Sequence, residues 1–210
     1  MLVQGPGDQR RWALPGLLAL TLVLSACVGG KSIPEGTVHE GDVDLTAGGV
    51  EIGDRSTVNG SVSLRFGGVD IGEGATVRDG VEVSNGGLAI GAGARVASIS
   101  VTRGGVSMGP GSVCLGDLEV SEGGIDLDGA EVRGTIHLTH GGLSIGDGSL
   151  VGEGIRVVTT SGSAADPTEI HIRSGARVEG EIYTEGNVAL FIHEGAEVTA
   201  EIRGTEPVYK

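Results

Sequence analysis

Six Gly-Gly pairs, each followed by an aliphatic residue, recur along the sequence at nearly constant spacing. Their first glycines are Gly48, Gly67, Gly86, Gly104, Gly123 and Gly141, and the intervals between them are 19, 19, 18, 19 and 18. A repeat of this length without a helical period is typical of a solenoid, in which each repeat makes one circuit and stacks on the next. We therefore expect a coil of stacked circuits, here called rungs.

Each repeat contains two apolar-x-apolar segments and one single apolar position, separated by glycine-rich corners. The repeat at 48–66 carries Val50 and Ile52, then Val58, then Val62 and Leu64. Alternation with period two predicts short strands buried on one face. The pattern predicts an all-β fold, a single-stranded, three-sided parallel β-helix of about eight rungs of roughly 18–20 residues, preceded by a partial rung.

The single apolar residue of each repeat is expected to point inward and to stack along the axis of the coil. The expected column is Val58, Val77, Val96, Val113, Val132, Leu150, Val178 and Val198. Cys114 is expected near a corner. The corner glycines allow a positive φ or a close backbone approach, so we interpret them as structural and not as a phosphate-binding loop.

Composition and charge narrow the class of protein further. The 210 residues include 41 glycines without a three-residue period, which excludes collagen, and the length suits one domain. The net charge is −14, and removal of segment 1–26 would leave 12 basic and 27 acidic side chains, a charge of −15. Nucleic acid is therefore not expected as a partner.

The segment 1–26 has the pattern of a bacterial export signal. Arg10 and Arg11 precede an apolar run at 13–24, which is too short to span a bilayer comfortably. The segment Leu24-Ser25-Ala26-Cys27 resembles the lipobox of bacterial lipoproteins. That resemblance implies cleavage before Cys27, lipidation of Cys27 and anchoring to a membrane of the cell envelope. Val28, in place of Asp, favours the outer membrane over the inner one.

These patterns divide the chain into four parts. We expect a removed signal peptide at 1–26, a lipidated tether at 27–35, a β-helix domain at 36–204 with a loop at about 158–168, and a C-terminal tail at 205–210. If Cys27 carries lipid, Cys114 has no partner within the chain for a disulfide.

Two segments of the repeat region resemble bactofilins, bacterial proteins that form polymers. They are GARVEGEIYTEGNVALFIHEGAEVTAEIRG at 175–204 and, more loosely, GGVDIGEGATVRDGVEV at 67–83, and the likeness spans most of 36–204. The resemblance implies a right-handed, three-sided β-helix that associates end to end. It implies no catalytic or binding residues.

The residues between paired apolar positions should form two outward columns. The first is Glu51, Asp70, Ala89, Ser107, Asp126, Ser144, His171 and Phe191, and the second is Ser63, Glu82, Ser100, Glu119, His137 and Arg156. Glu51 and Asp70 are too few oxygen ligands for calcium, so an acidic solvated face is expected. Glu119, His137 and Arg156 are the nearest approach to a catalytic cluster, but they lack a nucleophile, and cross-strand pairing explains them.

The five histidines form no close-spaced ligand motif, so we expect no metal site and no cofactor. The function we expect is a non-enzymatic, lipid-anchored envelope scaffold that assembles through uncapped end rungs. The alternative is a monomeric binding module for an envelope polysaccharide or protein, using the loop at 161–168 or the column with His171 and Phe191. A carbohydrate-active enzyme acting through Glu119 or His137 is the least expected function, because the chain lacks long cleft-forming loops and aromatic platforms.

Overall fold

A computed structural model describes residues 29–159, 166–199 and 201–210, and these residues form strands and no helix. In chain order the strands are β1 (Lys31–Ile33), β2 (Val38–Glu40), β3 (Val43–Leu45), β4 (Gly48–Ile52), β5 (Thr57–Asn59), β6 (Val62–Ile71), β7 (Thr76–Asn85), β8 (Leu88–Ile90), β9 (Arg95–Arg103), β10 (Val106–Met108), β11 (Val113–Cys114), β12 (Leu118–Leu127), β13 (Glu131–Val132), β14 (Thr135–Ile145), β15 (Leu150–Val151), β16 (Gly154–Val158), β17 (Thr168–Ile172), β18 (Arg177–Val178), β19 (Glu181–Glu185), β20 (Val188–Ile192), β21 (Glu197–Val198), β22 (Ile202–Arg203) and β23 (Val208–Tyr209). Within these ranges there is accordingly no helix long and apolar enough to cross a membrane. The predicted all-β class is confirmed.

Every pairing between the strands is parallel and joins residues about one repeat apart. β4, β5 and the first half of β6 belong to one rung, and each pairs with its counterpart in the next rung. The pairings form three ladders: the first runs from β1 to β23, the second from β2 to β21 and the third from β3 to β22. The structure is thus a parallel β-solenoid of about nine rungs. The three-sided cross-section and the right-handed sense of the coil stay predictions.

The solenoid starts earlier than the sequence pattern predicted. β1 lies inside the expected tether 27–35, and its Lys31 and Ile33 pair in register with Val50 and Ile52. The first rung is therefore complete and not partial. The segment from Gly29 to Ile33 has the same Gly-Gly start as six of the other repeats, but Lys31 stands where they have an aliphatic residue, which hides the match.

The solenoid also extends beyond the predicted end at residue 204. β23 lies in the expected tail and pairs with the end of β20, Phe191 opposite Val208 and Ile192 opposite Tyr209. The backbone N–H of Lys210 donates to the carbonyl of Ile192 at 3.0 Å, which holds the last residue on the ladder. These backbone bonds replace the missing apolar pattern, so sequence periodicity could not reveal the strand.

Inward-facing Val, Ile, Leu and Ala side chains form one continuous core along the axis. Fully burying one such Val, Leu or Ile side chain contributes roughly 1.5–3 kcal/mol. Since these side chains are buried against those of neighbouring rungs, each rung depends on its neighbours for stability. The predicted inward column is wrong by one residue in two rungs. Cys114 pairs with Val96 and Val151 pairs with Val132, so these two residues, and not Val113 and Leu150, occupy the column.

The spacing from the glycine corner explains this correction. Cys114 lies five residues after Gly109, as Val96 lies five residues after Gly91. Val113 is more hydrophobic than Cys114, but its place in register is opposite the outward residue Arg95. The distance from the corner glycine therefore determines which residue faces inward, whichever of the two neighbours is more hydrophobic.

The first glycine of each pair is required by the stacking. Gly67 has a φ of 134°, and a Cβ built on it would lie 1.7 Å from the carbonyl oxygen of Gly48 in the previous rung. No side chain can occupy that space without moving the backbone. The glycine column therefore keeps successive rungs in contact at one corner.

Candidate functional site

The structure aligns the first predicted outward column along the first ladder. Its members pair in register in the order Glu51, Asp70, Ala89, Ser107, Asp126, Ser144, His171 and Phe191. The acidic and small residues lie toward the N-terminal rungs, whereas the two ring side chains lie on rungs eight and nine. The predicted neighbours His171 and Phe191 are thus brought together.

The ring of Phe191 is covered by two other groups. The imidazole of His171 stacks on it with a centroid distance of 4.8 Å and an angle of 18° between the planes. The ammonium nitrogen of Lys210 lies 3.8 Å from the Phe191 centroid, a cation–π contact. In the first ladder β20 lies between β17, which carries His171, and β23, which Lys210 follows. The two groups therefore cover the Phe191 ring from both sides, where a sugar would otherwise stack.

Two further residues complete this cluster, and sequence reasoning missed both. Oε2 of Glu169 lies 3.2 Å from Nε2 of His171, and Nε2 of His193 lies 3.4 Å from Nδ1 of His171. His193 follows β20, and its backbone N–H donates to the carbonyl of Ile172 at 2.9 Å. The sequence did offer one indication: His193 lies two residues after Phe191, the partner of His171 in the next rung. We call His171, His193, Glu169 and Phe191 the histidine cluster.

The second predicted column lies on the third ladder. Glu119, His137 and Arg156 are consecutive partners, and Tyr183 follows them in register. The guanidinium carbon of Arg156 lies 4.7 Å from the centroid of the Tyr183 ring. The hydroxyl of Tyr183 donates to Glu185 at 3.0 Å, and this bond and the negative charge of Glu185 raise the pKa of Tyr183.

This column faces outward, with Glu119 and Arg156 exposed and His137 half-buried. Its contacts are those of side chains paired across parallel strands, where opposite charges and cation–π contacts each stabilise the ladder modestly. The geometry brings the three predicted residues together in one outward row. Its chemistry is surface pairing.

A shallow groove of about 510 Å³ runs over the middle rungs of the first ladder. Its lining includes Asp70, Gly87, Ala89, Gly105, Ser107 and Asp126. The groove forms because the second glycine of each pair has no side chain and the adjacent outward residues are small. It was missed in the sequence, although the juxtaposition of the glycine column with Ala89 and Ser107 was the signal. Glu169, which replaces Gly142 at the next level, ends the glycine column near the histidine cluster.

The two ends of the solenoid differ. At the N-terminal end Lys31 and His39 lie opposite the inward residues Val50 and Val58, and their side-chain nitrogens are 3.1 Å apart. A half-buried polar pair therefore lies over part of the core at this end. Sequence reasoning, which expected uncapped ends, missed this pair.

The C-terminal end presents partly covered apolar residues, as the first rung does with Leu45. Val198 and Ile202 are only partly buried against the core, and Tyr209 is 73% exposed. Within the described part of the chain, β21, β22 and β23 have a partner on one side only, as β1, β2 and β3 do at the N-terminal end. Their other edges therefore present backbone groups that can pair with a further strand.

Two carboxylates at this end, those of Glu197 and Glu201, are paired with arginines. Arg177 bonds Glu197 at 2.5 Å, and Arg203 bonds Glu201 at 3.0 Å. The bond and the charge of Arg203 lower the pKa of Glu201. The negative charge of the chain is thus partly neutralised where the C-terminal edge is open.

Three other predicted features remain: the histidines as metal ligands, Cys114 and the two predicted segments around Cys27 and 161–168. Among residues 29–159, 166–199 and 201–210, no three His, Cys, Asp or Glu side chains gather as metal ligands. Cys114 is a buried free thiol, and burial raises its pKa to about 11, so it is protonated at neutral pH. The predicted lipidation site Cys27 and most of the loop at 161–168 lie outside the described residues.

The fold defines a parallel β-solenoid with unpaired strand edges at both ends, a polar side-chain pair at the N-terminal end and partly covered apolar residues at the C-terminal end. Comparison of the chain with protein-family models, with curated proteins and with solved structures finds no match in any of the three. The likeness of segments 67–83 and 175–204 to bactofilins is compatible with this architecture.

Proposed function

We propose that the chain is a non-enzymatic, lipid-anchored scaffold of the bacterial cell envelope that associates end to end through its C-terminal rung. The observation that carries the proposal is the C-terminal edge, where Val198 and Ile202 are only partly covered. The strands β21, β22 and β23 are paired on one side there, as β1, β2 and β3 are at the other end. Unpaired strand edges bind further strands unless they are blocked. The arginine pairs at this end reduce the repulsion that an acidic chain would otherwise feel.

The N-terminal end is less suited to direct contact. Lys31 and His39 would have to leave water if another rung stacked on them, and buried polar groups without new partners are costly. We therefore expect association to begin between C-terminal ends. A single solenoid of nine rungs is about 43 Å long at roughly 4.8 Å per rung, so two would form a rod of about 90 Å.

The proposed anchor suits such a rod. Cys27 precedes β1 by only four residues, a reach of about 14 Å in an extended chain. Two lipidated N-termini at opposite ends of the pair would hold it flat against the membrane. Because Val28, and not Asp, follows Cys27, the outer membrane is the favoured location. Longer filaments, like those of bactofilins, would require the N-terminal ends to join as well.

The test uses the full chain expressed in a bacterium. Mass spectrometry should detect a lipid-modified Cys27 in the membrane fraction, and Cys27→Ala should leave the protein unmodified. Sedimentation velocity and negative-stain microscopy of the detergent-extracted chain should then show rods of about twice the single length. An unmodified Cys27 would contradict the anchor, and single short rods at every concentration and salt would contradict the association.

The groove on the first ladder favours a second candidate, a monomeric module that binds an envelope polysaccharide. The groove follows the rod axis and offers carboxylates and backbone groups to hydroxyls, and its acidic ends favour a neutral polymer over an anionic one. Replacement of Ala89 or Ser107 by Arg would fill it. If a neutral glucan pulls down the native chain but neither variant, this candidate is supported, and equal binding by all three would contradict it.

A further inference from the structure

We propose that His171 and His193 form a two-imidazole site for a borderline divalent cation, of the class of Zn²⁺, Cu²⁺ or Ni²⁺. The site lies on the outer face of rungs eight and nine, within the histidine cluster. The inference rests on the positions of these side chains and does not depend on the scaffold or its anchor.

The separation of the two ring nitrogens suits a shared cation. Nδ1 of His171 and Nε2 of His193 are 3.4 Å apart, which is longer than a well-formed hydrogen bond. Two imidazole nitrogens bound to one cation at about 2.0–2.1 Å with tetrahedral geometry lie about 3.3–3.4 Å apart. The ring planes are tilted by 38° to each other, and both rings must turn to direct their lone pairs at one position.

Glu169 prepares His171 for this role. A carboxylate can only accept a hydrogen bond, so the contact of 3.2 Å with Glu169 places the proton of His171 on Nε2. The opposite nitrogen, Nδ1, then carries the lone pair that faces His193. A carboxylate that orients a metal-binding histidine in this way raises the affinity of the ligand for metal.

The surroundings hold both rings in place. His171 lies within β17 and stacks on Phe191, and the backbone of His193 is bonded to Ile172 at the end of the same strand. His171 therefore has the closer positioning of a strand residue, whereas His193 lies at a corner and is held through its backbone bond. Two neutral imidazoles favour Cu²⁺, Ni²⁺ and Zn²⁺ over Mg²⁺ and Ca²⁺, which prefer oxygen, and Cu²⁺ should bind most tightly. Water supplies the other ligands.

The spacing of the ligands explains why a sequence search for metal motifs does not find them. In a helix two ligands on one face are separated by three or four residues, whereas in a solenoid they come from adjacent rungs. The stretch of chain between His171 and His193 includes one rung and a corner.

The direct test is calorimetric titration of Zn²⁺ into the untagged, detergent-extracted full chain. We expect one cation per chain, and His171→Gln and His193→Gln should each weaken binding by more than about 10-fold, the scale at which even an outer-shell partner acts. His137→Gln is the matched control, because His137 lies outward on the third ladder between Glu119 and Arg156. It should bind as the native chain does.

Electron paramagnetic resonance of the Cu²⁺-loaded chain reports how many nitrogen atoms bind the cation. This number would not change if the histidines only stabilised the fold. The native spectrum should show coupling to two nitrogens, and each histidine variant should show fewer. Glu169→Gln should keep both nitrogens and weaken binding by about 10-fold. No Zn²⁺ binding by the native chain, equal weakening by His137→Gln, or a Cu²⁺ spectrum unchanged in both cluster variants would overturn the proposal.

Discussion

The carboxylate of Asp42 accepts two hydrogen bonds from Ser61, the residue one rung further along the solenoid. Oδ1 of Asp42 lies 2.7 Å from the backbone nitrogen and 2.9 Å from the hydroxyl oxygen of Ser61. Asp54 bonds the backbone N–H of Glu73 in the same way, at 2.8 Å. Aspartates at the corners thus link successive rungs and satisfy backbone groups that the ladders leave unpaired.

The bonds from Ser61 lower the pKa of Asp42 below its ordinary value of 3.8. A carboxyl whose pKa is lowered by folding stabilises the fold above its unfolded pKa, and this stability is lost as the pH falls through the lower folded value. We expect the free energy of unfolding to fall less steeply below pH 3.8 in Asp42→Asn than in the native chain. Urea unfolding at a series of acidic pH values measures this slope.

Asp44 gives a matched control for that measurement, because it is exposed on the same rung and faces outward in β3. Asp44→Asn should keep the native slope. Identical slopes for the native chain and Asp42→Asn would show that the bonds to Ser61 do not stabilise the first rungs.

The glycine column predicts a large difference between two Gly→Ala substitutions. A Cβ at Gly67 would overlap the backbone of Gly48, whereas a Cβ at Gly93, with a φ of 66°, would meet nothing within 4 Å. Gly67→Ala should lower the free energy of unfolding by roughly 3 kcal/mol or more, at the upper end of overpacking costs. Gly93→Ala should lower it by about 1–2 kcal/mol, the cost of a left-handed residue. Thermal or urea unfolding that gives equal losses would contradict the stacking role of Gly67.

The same steric requirement explains why most of the fold could be predicted from the sequence. Glycine pairs recur because each rung needs one at the close corner, and the alternating apolar residues between them fix which side chains face inward. The errors fall where one residue departs from the repeat or, as in β23, where the apolar pattern is missing altogether. Lys31 hid the first strand, and the hydrophobicity of Val113 concealed the place of Cys114.

The candidate site was only half predictable. His171 and Phe191 could be paired because both occupy the same position in the repeat. His193 lies at a corner, where the length of the chain between strands varies, and Lys210 follows a strand without a repeat pattern. The contacts of His193 and Lys210 depend on the conformation of a corner and of the C-terminal segment, which the repeat pattern does not predict.

Cys114 should behave as an inert core residue. It is 0% exposed, and its thiol has a pKa of about 11 in place of 9.0 because burial penalises the thiolate. The protein should therefore keep its stability below pH 9 and lose up to about 3 kcal/mol as the pH rises toward 11, since each pKa unit is worth about 1.4 kcal/mol.

The variant Cys114→Val tests this, because the neighbours of Cys114 in the column are Val96 and Val132. It should fold with a stability within about 1.5 kcal/mol of the native chain at pH 7 and lack the alkaline loss. Thiol labelling of the native chain should exceed that of the variant only after unfolding. Rapid labelling of Cys114 at pH 7, or an unchanged alkaline slope in the variant, would contradict the prediction.

The proposed association depends on the apolar residues of the last rung. Ile202 is partly buried against the core and belongs to β22, which has an open edge among the described strands, so a charge there would be buried without a partner in the contact. We expect Ile202→Glu to abolish the double-length rods. The matched control is Val38→Glu, because Val38 is 62% exposed on the N-terminal rung and should tolerate a charge without affecting the C-terminal contact. Sedimentation velocity separates the single and paired species, and circular dichroism checks that both variants fold. Pairs that persist in Ile202→Glu but disappear in Val38→Glu would place the contact at the N-terminal end instead.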